Sequence, residues 1–446
     1  VIRGKKGTVK EHPVKRGLRA FFGRVMRLYF RDIEVLGPVP DEHTQGRLLA
    51  ANHVNALVDP ILVLTSTQCP VSPIAKSTLW DIPGMRLLLD IAGAVPVVRR
   101  RDNPDKSAQD NDAIFARIAS HMGKGGNVLI FPEGTSHNEP HLVPLKTGAG
   151  RMLARAESEG ARELSVQAVA LEFDARDIFR SRCLVLFGPV RYLRDLHDGK
   201  GDRPQQITDV LRQDLSELLV EGPTWEARLL SVRVAELYAH EAGERSLANY
   251  NTIGRRVEEA HRLLSATDPK VVAEATAKVD AYYTKLAELG LTDDLVAYGE
   301  RRISTASPVH KLGLLLLTPL AMLGLVLYAL PYQLPRAISR RIGGHGDVAS
   351  TYKLGLGLLV YPLWLAALLG VSFGLLRWPQ ALGAATLSVA APFAALLWLD
   401  QWDRFVARAR LLTPGSRAHA RLGALRQERA ALLAYIEDLR GKLGLS

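Results

Sequence analysis

Two short polar stretches carry residue types that could do acid–base chemistry. The string Ala51-Asn52-His53-Val54-Asn55-Ala56-Leu57-Val58-Asp59-Pro60 follows an apolar run and sets an imidazole six positions before a carboxylate. A carboxylate that accepts one ring N–H fixes the tautomer and leaves the other nitrogen able to take a proton, which is general-base chemistry. Taken alone, that spacing recurs by chance, and a hydrogen-bonded structural histidine is the default reading. The second stretch, Phe131-Pro132-Glu133-Gly134-Thr135-Ser136, also closes an apolar run and continues to Pro144-Leu145-Lys146. Gly134 permits close backbone approach to a ligand, and Thr135, Ser136 and Lys146 offer donors to anionic oxygens. Between the two, Val97-Val98-Arg99-Arg100-Arg101 runs a strand into three guanidinium groups. Such a cluster suits bidentate phosphate binding, with a solvated face or a lipid-headgroup contact as the ordinary alternative. His137 and His141 are four apart, but Pro140 opposes a helix there, so no metal site is expected. Cys69 and Cys183 are too few for a disulfide framework or a four-thiolate zinc site and read as small buried side chains.

These motifs need rigid elements to hold them. Short apolar runs recur at 48–51, 94–98, 127–131, 166–171 and 184–187, with helical patterns between several of them, as at 107–122. Strand–helix alternation with polar motifs at strand ends predicts an α/β domain with a mostly parallel sheet flanked by helices, and strand ends are where open sheets place their sites.

The rest of the 446-residue chain differs in kind. Lys and Arg number 57 against 46 Asp and Glu, a net charge of +11, while 47% of residues are hydrophobic, which excludes a disordered or collagen-like chain. Residues 312–335, 354–376 and 378–399 contain no Lys, Arg, Asp or Glu, and a helix needs roughly 20 apolar residues to cross a bilayer. The flanks of the second and third runs are basic, with Arg336, Arg340, Arg341 and Lys353 on one side and Arg404, Arg408 and Arg410 on the other. That predicts a hairpin turning at Arg377-Trp378-Pro379 with both ends on the cytoplasmic face. Three full crossings would separate the two ends of the chain, so residues 312–330 are expected to enter the membrane without completing a crossing, interrupted at Pro319 and closed by Pro331 and Pro335. At the other end, Leu18, Phe21, Phe22, Val25, Leu28 and Tyr29 recur at near-helical spacing among Lys15, Arg16, Arg19, Arg24, Arg27 and Arg31. This reads as a basic amphipathic helix on a lipid surface, or as a helix packed on the domain. No zinc-finger spacing or aromatic RNA-binding signature is present, so nucleic acid is not an expected partner. No cleavable signal is visible. The expected division is an amphipathic segment at 1–36, a catalytic domain at 37–200, a helical region at 201–308, membrane segments at 309–400 and a C-terminal amphipathic helix at 401–446.

In order and spacing, the three polar motifs resemble those of the glycerophospholipid acyltransferase family, as does Tyr29-Phe30-Arg31 leading to Gly37 and Pro40. The similarity covers about residues 25–195. Most of that family has four residues between His and Asp, and this chain has five. In that respect, and in Ser136-His137 followed by Pro144-Leu145-Lys146, it is similar to the subgroup that includes fungal glycerol-3-phosphate acyltransferases. The family's fourth motif carries a Pro, and here Gln167-Ala168-Val169 stands in its place, so no acyl-binding residue is assigned there. The resemblance implies His53 as base with Asp59 supporting it, and Arg99, Arg101, Glu133, Gly134 and Lys146 as acceptor-binding candidates, Glu133 either on acceptor hydroxyls or on the motif framework. It implies transfer of a fatty acyl group from acyl-CoA or acyl carrier protein to a glycerol-phosphate acceptor at the cytoplasmic face of the inner membrane, with no cofactor. Glycerol 3-phosphate is favoured over 1-acylglycerol 3-phosphate or another lysophospholipid. An inactive lipid-binding or transport-associated protein and a hydrolase using water are the rival readings.

Overall fold

The computed structural model describes residues 11–98, 107–196, 201–303, 308–342 and 346–443. The chain forms two compact units, Val1–Glu221 with Gly346–Val348, and Gly222–His345 with Ala349–Ser446. These two are coarser than the five segments that composition suggests.

The first unit is built on a seven-stranded sheet: β1 (Asp32–Leu36), β2 (Arg47–Ala51), β3 (Val71–Lys76), β4 (Val95–Val97), β5 (Asn127–Ile130), β6 (Ser165–Phe173) and β7 (Arg182–Tyr192). Their spatial order is β1-β7-β6-β2-β5-β3-β4, and every neighbouring pair is parallel except β6 with β7. The mostly parallel sheet expected from the alternation is therefore present. Its antiparallel hairpin is an addition, as are β1 and β3, whose polar residues break the apolar run that marks the other strands. Strands buried on both faces read as unbroken apolar runs, and Leu48 to Ala51 of β2 are all fully buried.

Helices cover both faces: α1 (Pro13–Tyr29), α2 (Val58–Ser66), α3 (Met85–Ala92), α4 (Ser107–Gly123), α5 (Gly148–Ser158) and α6 (Arg203–Leu218). Alternation along the strands sends Leu48, Ala50, Val128, Ile130, Val166 and Ala168 into one core with Ile118 and Met122 of α4, Met152 and Leu153 of α5 and Leu211 of α6. Helix α1 buries Met26 and Tyr29, packs on α2 and α3, and leaves Val14, Phe21 and Leu28 exposed beside exposed Arg16, Arg24 and Arg27. It is thus both packed on the domain and amphipathic on its outer side.

The second unit is helical: α7 (Trp225–Glu241), α8 (Leu247–Thr267), α9 (Pro269–Leu289), α10 (Asp293–Ile303), α11 (Pro308–Leu327), α12 (Ala329–Arg341), α13 (Ala349–Leu375), α14 (Trp378–Leu412) and α15 (Arg417–Lys442). Asp293 is buried and bonded to His240, Tyr282 and Arg429, which ties α7, α9, α10 and α15 together around an apolar core. Two helical stretches, Gly346–Leu375 and Trp378–Ala407, are long and apolar enough to cross a membrane, and α11 and α12 form a further apolar pair bent by 46°. Leu316, Val326, Leu363, Leu375 and Trp378 are exposed there, as lipid-facing side chains would be. The prolines do not act as expected. Pro319 and Pro335 lie inside helices and Pro331 in the first turn of α12, where a missing N–H removes little. The break falls instead at Tyr328, the N-cap of α12. Gly324 lets α11 and α14 touch backbone to backbone, since a Cβ there would lie 2.1 Å from the Ala391 carbonyl oxygen.

Candidate functional site

β2 is central, between β6 and β5, with Ala51 opposite Val169 and Ala50 opposite Ile130. Its C-terminal end is pinned by Asn52, whose buried amide donates to the Leu171 carbonyl at 3.1 Å and accepts from the Leu171 N–H at 2.7 Å. His53 follows. Residues 54–57 make a tight turn with Ala56 in the left-handed region at φ +34°, and Asp59 lies in the first turn of α2. The five intervening residues still bring the two side chains together, with His53 Nδ1 at 3.0 Å from Asp59 Oδ2.

The same oxygen accepts the backbone N–H groups of Val54 at 2.8 Å and Asn55 at 2.7 Å, so the carboxylate also holds the turn that carries the histidine. Asp59 is wholly buried and its Oδ1 has no hydrogen-bond partner among the described residues. Burial pushes its carboxyl above the ordinary 3.8, against the pull of the bonds from His53, Asn55 and Val54. With Nδ1–H donating to Asp59, Nε2 is the nitrogen that can accept a proton. The ring stacks on Phe131, and the His53 side chain retains 13% exposure.

Phe131 leaves β5 parallel to β2, which carries the second motif to the same edge. Glu133 is buried and spans the two loops: Oε1 accepts the His53 backbone N–H at 2.6 Å, while Oε2 meets His137 Nε2 and the Val143 N–H. His137 Nδ1 accepts the Glu139 N–H at 3.1 Å, so its proton sits on Nε2 facing Glu133. These bonds favour the framework role for Glu133, because both oxygens are turned to protein groups. Gly134 has φ +76°, and the exposed Lys146 lies across it: a Cβ at 134 would come 2.5 Å from Lys146 Nζ. The Lys146 N–H donates to the Pro132 carbonyl at 2.8 Å, fastening that residue to the motif. Arg99 and Arg101 lie outside the described residues. His141 is exposed, and no group of three His, Cys, Asp or Glu side chains suited to a metal occurs among the described residues.

Sequence reasoning overlooked the stacking of Phe131, the anchoring by Asn52 and the part of Arg176, which reaches the His53 loop from the turn between β6 and β7. The first two sit inside the motifs and were open to notice. Arg176 lies in no motif, and only the hairpin brings it near.

Residues 32–172 match the family model described as Acyltransferase. Glycerol-3-phosphate O-acyltransferase 1 of Saccharomyces cerevisiae is 24% identical over 284 residues, 57% of this chain and 37% of that protein. The lyso-ornithine lipid O-acyltransferase of Pseudomonas aeruginosa is 31% identical over 144 residues, 32% of this chain and 48% of that protein. Among solved structures, the 1-acyl-sn-glycerophosphate acyltransferase PlsC from Thermotoga maritima matches 46% of this chain and 79% of its own at 16% identity and a TM-score of 0.33. The match spans little more than a third of the length of the yeast relative.

Proposed function

We propose, from the acyltransferase domain at residues 32–172, that this chain transfers a fatty acyl group from a thioester donor, acyl-CoA or acyl carrier protein, to a hydroxyl of a glycerol-phosphate acceptor. The observation that carries this reading is the His53–Asp59 pair at the end of the central strand, with Nε2 left as the accepting nitrogen. As the acceptor oxygen attacks the thioester carbonyl, His53 Nε2 takes its proton, and Asp59 supports the imidazolium that forms. Collapse of the tetrahedral intermediate breaks the C–S bond, and the departing sulfur takes the proton from His53. No covalent acyl-enzyme is needed. Lys146 holds the acceptor phosphate, with Arg99 and Arg101 as further candidates, and Gly134, lacking a Cβ, leaves room for the Lys146 side chain to lie across the motif. Glu133 keeps the two loops in register.

Glycerol 3-phosphate is the favoured acceptor, supported by the yeast relatives, which bear the name glycerol-3-phosphate O-acyltransferase. 1-Acylglycerol 3-phosphate is the second reading, supported by the bacterial relatives named 1-acyl-sn-glycerol-3-phosphate acyltransferase. Helices α13 and α14 anchor the chain in the membrane as a hairpin, with the bent pair α11–α12 entering without crossing and the catalytic unit on the cytoplasmic side. The test is thiol release by the purified full chain, in detergent, from one labelled acyl-CoA and from one acyl carrier protein thioester, with each acceptor in turn. Release that requires glycerol 3-phosphate, with the label recovered in its ester, is expected. Free fatty acid formed without acceptor would make the protein a hydrolase, and no release from either donor would leave a non-catalytic lipid-binding role.

A further inference from the structure

Resting on the acyl-transfer reading above, we propose that Arg176 is a positioning residue for His53, its guanidinium clamping the loop that carries the base to the loop that carries Glu133. Strand β6 runs parallel to β2 and then reverses into β7, so the hairpin turn emerges at the edge of the sheet where His53 stands. That turn is itself tied down. Arg182 N–H donates to Asp174 Oδ1 at 2.7 Å, and Arg180 N–H donates to the Tyr29 carbonyl at the end of α1, also at 2.7 Å.

From this base Arg176 engages the His53 loop twice. Its carbonyl accepts from the Asn55 side chain at 3.2 Å, and its Nη1 donates to the Val54 carbonyl at 3.0 Å. The same Nη1 reaches the His137 carbonyl at 3.4 Å, and Nη2 donates to Asn138 Oδ1. One planar fork therefore spans two loops that are also joined by the bond from the His137 N–H to the His53 carbonyl at 3.1 Å, by that from the His53 N–H to Glu133 at 2.6 Å and by the stacking of His53 on Phe131. The peptide groups on both sides of the His53 Cα are thereby held from outside its own loop. A base whose backbone shifts by about 1 Å loses its approach to the acceptor hydroxyl, which costs about 10²-fold in rate. Lysine cannot replace the residue, because a single ammonium lacks the fixed geometry to bridge Val54, His137 and Asn138 at once.

The experiment compares the full-length wild type with Arg176→Lys and Arg176→Ala in detergent, by steady-state kinetics and by amide hydrogen exchange of the same preparations. Both variants are expected to lose about 10²-fold in kcat with acceptor and donor KM within about threefold of wild type. The amides of His53 and His137 should exchange about tenfold faster, while those of β5 and α4 keep their protection. Should the alanine variant fail to fold, the lysine variant carries both measurements. Full kcat in Arg176→Lys, or a raised acceptor KM at unchanged kcat, would overturn the proposal, the latter by making Arg176 a phosphate ligand. Unchanged exchange at His53 and His137 would also overturn it. The exchange measurement does not depend on turnover, so a wild type without acyl transfer would refute the function while the clamp is judged separately.

Discussion

The rings of His53 and Phe131 are stacked, with centroids 4.1 Å apart and planes 24° from parallel. Phe131 covers one face of the imidazole while Asp59 holds Nδ1, so the ring has little freedom to turn about its own bonds. The stack is a positioning device made from the first residue of the second motif, and it explains why an aromatic side chain suits the end of β5.

Two substitutions separate the base from its support. His53→Ala should lower kcat by about 10²-fold or more in a folded protein, with acceptor affinity changed far less. Phe131→Leu keeps the apolar bulk and removes the stacked ring, a contact of about 0.5–1.5 kcal/mol, so its kcat should fall by only about 2–10-fold. Steady-state kinetics on both proteins checks the order, and normal turnover by His53→Ala would end the mechanism.

Asp59 makes a prediction in pH. Burial raises its carboxyl above 3.8, and a group raised on folding contributes stability that is full below its unfolded pKa and lost as pH climbs through the folded one. Asp59→Asn removes this dependence. Relative to wild type the variant should therefore gain stability between about pH 4 and neutrality, while kcat drops by about 10²–10⁴-fold. Unfolding midpoints of both proteins across that range, in one detergent, test it. A relative stability that moves the other way with pH would show that the carboxylate is better held in the fold than its burial implies.

Lys146 should act on the acceptor. A charge-assisted contact is worth about 1.5–3 kcal/mol, so Lys146→Ala should raise the KM for a phosphorylated acceptor by about 10–150-fold and leave the donor KM nearly unchanged. Neutralising Arg99 or Arg101 should act in the same direction. Equal effects on donor and acceptor would assign these cations to the membrane surface or to the donor instead.

Membrane geometry is open to chemical labelling, since Cys69 and Cys183 are buried and give little background. Single cysteines at the exposed positions Ile342 and Thr413, flanking the apolar hairpin, should react from the same face as one at exposed Lys124 in the catalytic unit. A cysteine at Arg377 should react only from the other face. Opposite reactivity at Lys124 and Ile342 would mean that α11 and α12 complete a crossing.

The grouping of His53, Asp59, Glu133 and Lys146 was legible because each follows or flanks an apolar run, and parallel strands deliver such ends to one edge. The three apolar stretches were legible for a simpler reason, the total absence of charge. What escaped was set by tertiary pairing. Nothing local distinguishes Arg176 from the other arginines of the chain until β6 folds back on β7. The prolines misled because sequence shows which N–H is missing but not whether the helix needed it: Pro331 falls in a first turn, and Pro319 is carried inside a long apolar helix.

The place of β2 between β5 and β6 also governs when the site can come into being. Its partners lie some 80 and 120 residues further along, as the pairs Leu48–Val128 and Leu48–Val166 record. During synthesis the segment bearing His53 precedes both partners: one edge of β2 can pair once β5 has emerged, and the other stays open until residues up to Phe173 follow. Pairings of such sequence separation are slow to form, because the loop must be closed before any contact rewards it. Throughout that interval one edge of β2 is uncovered, and a chain cut short before β6 would hold His53, Asp59, Glu133 and Lys146 with the strand that bears His53 at an open edge of the sheet.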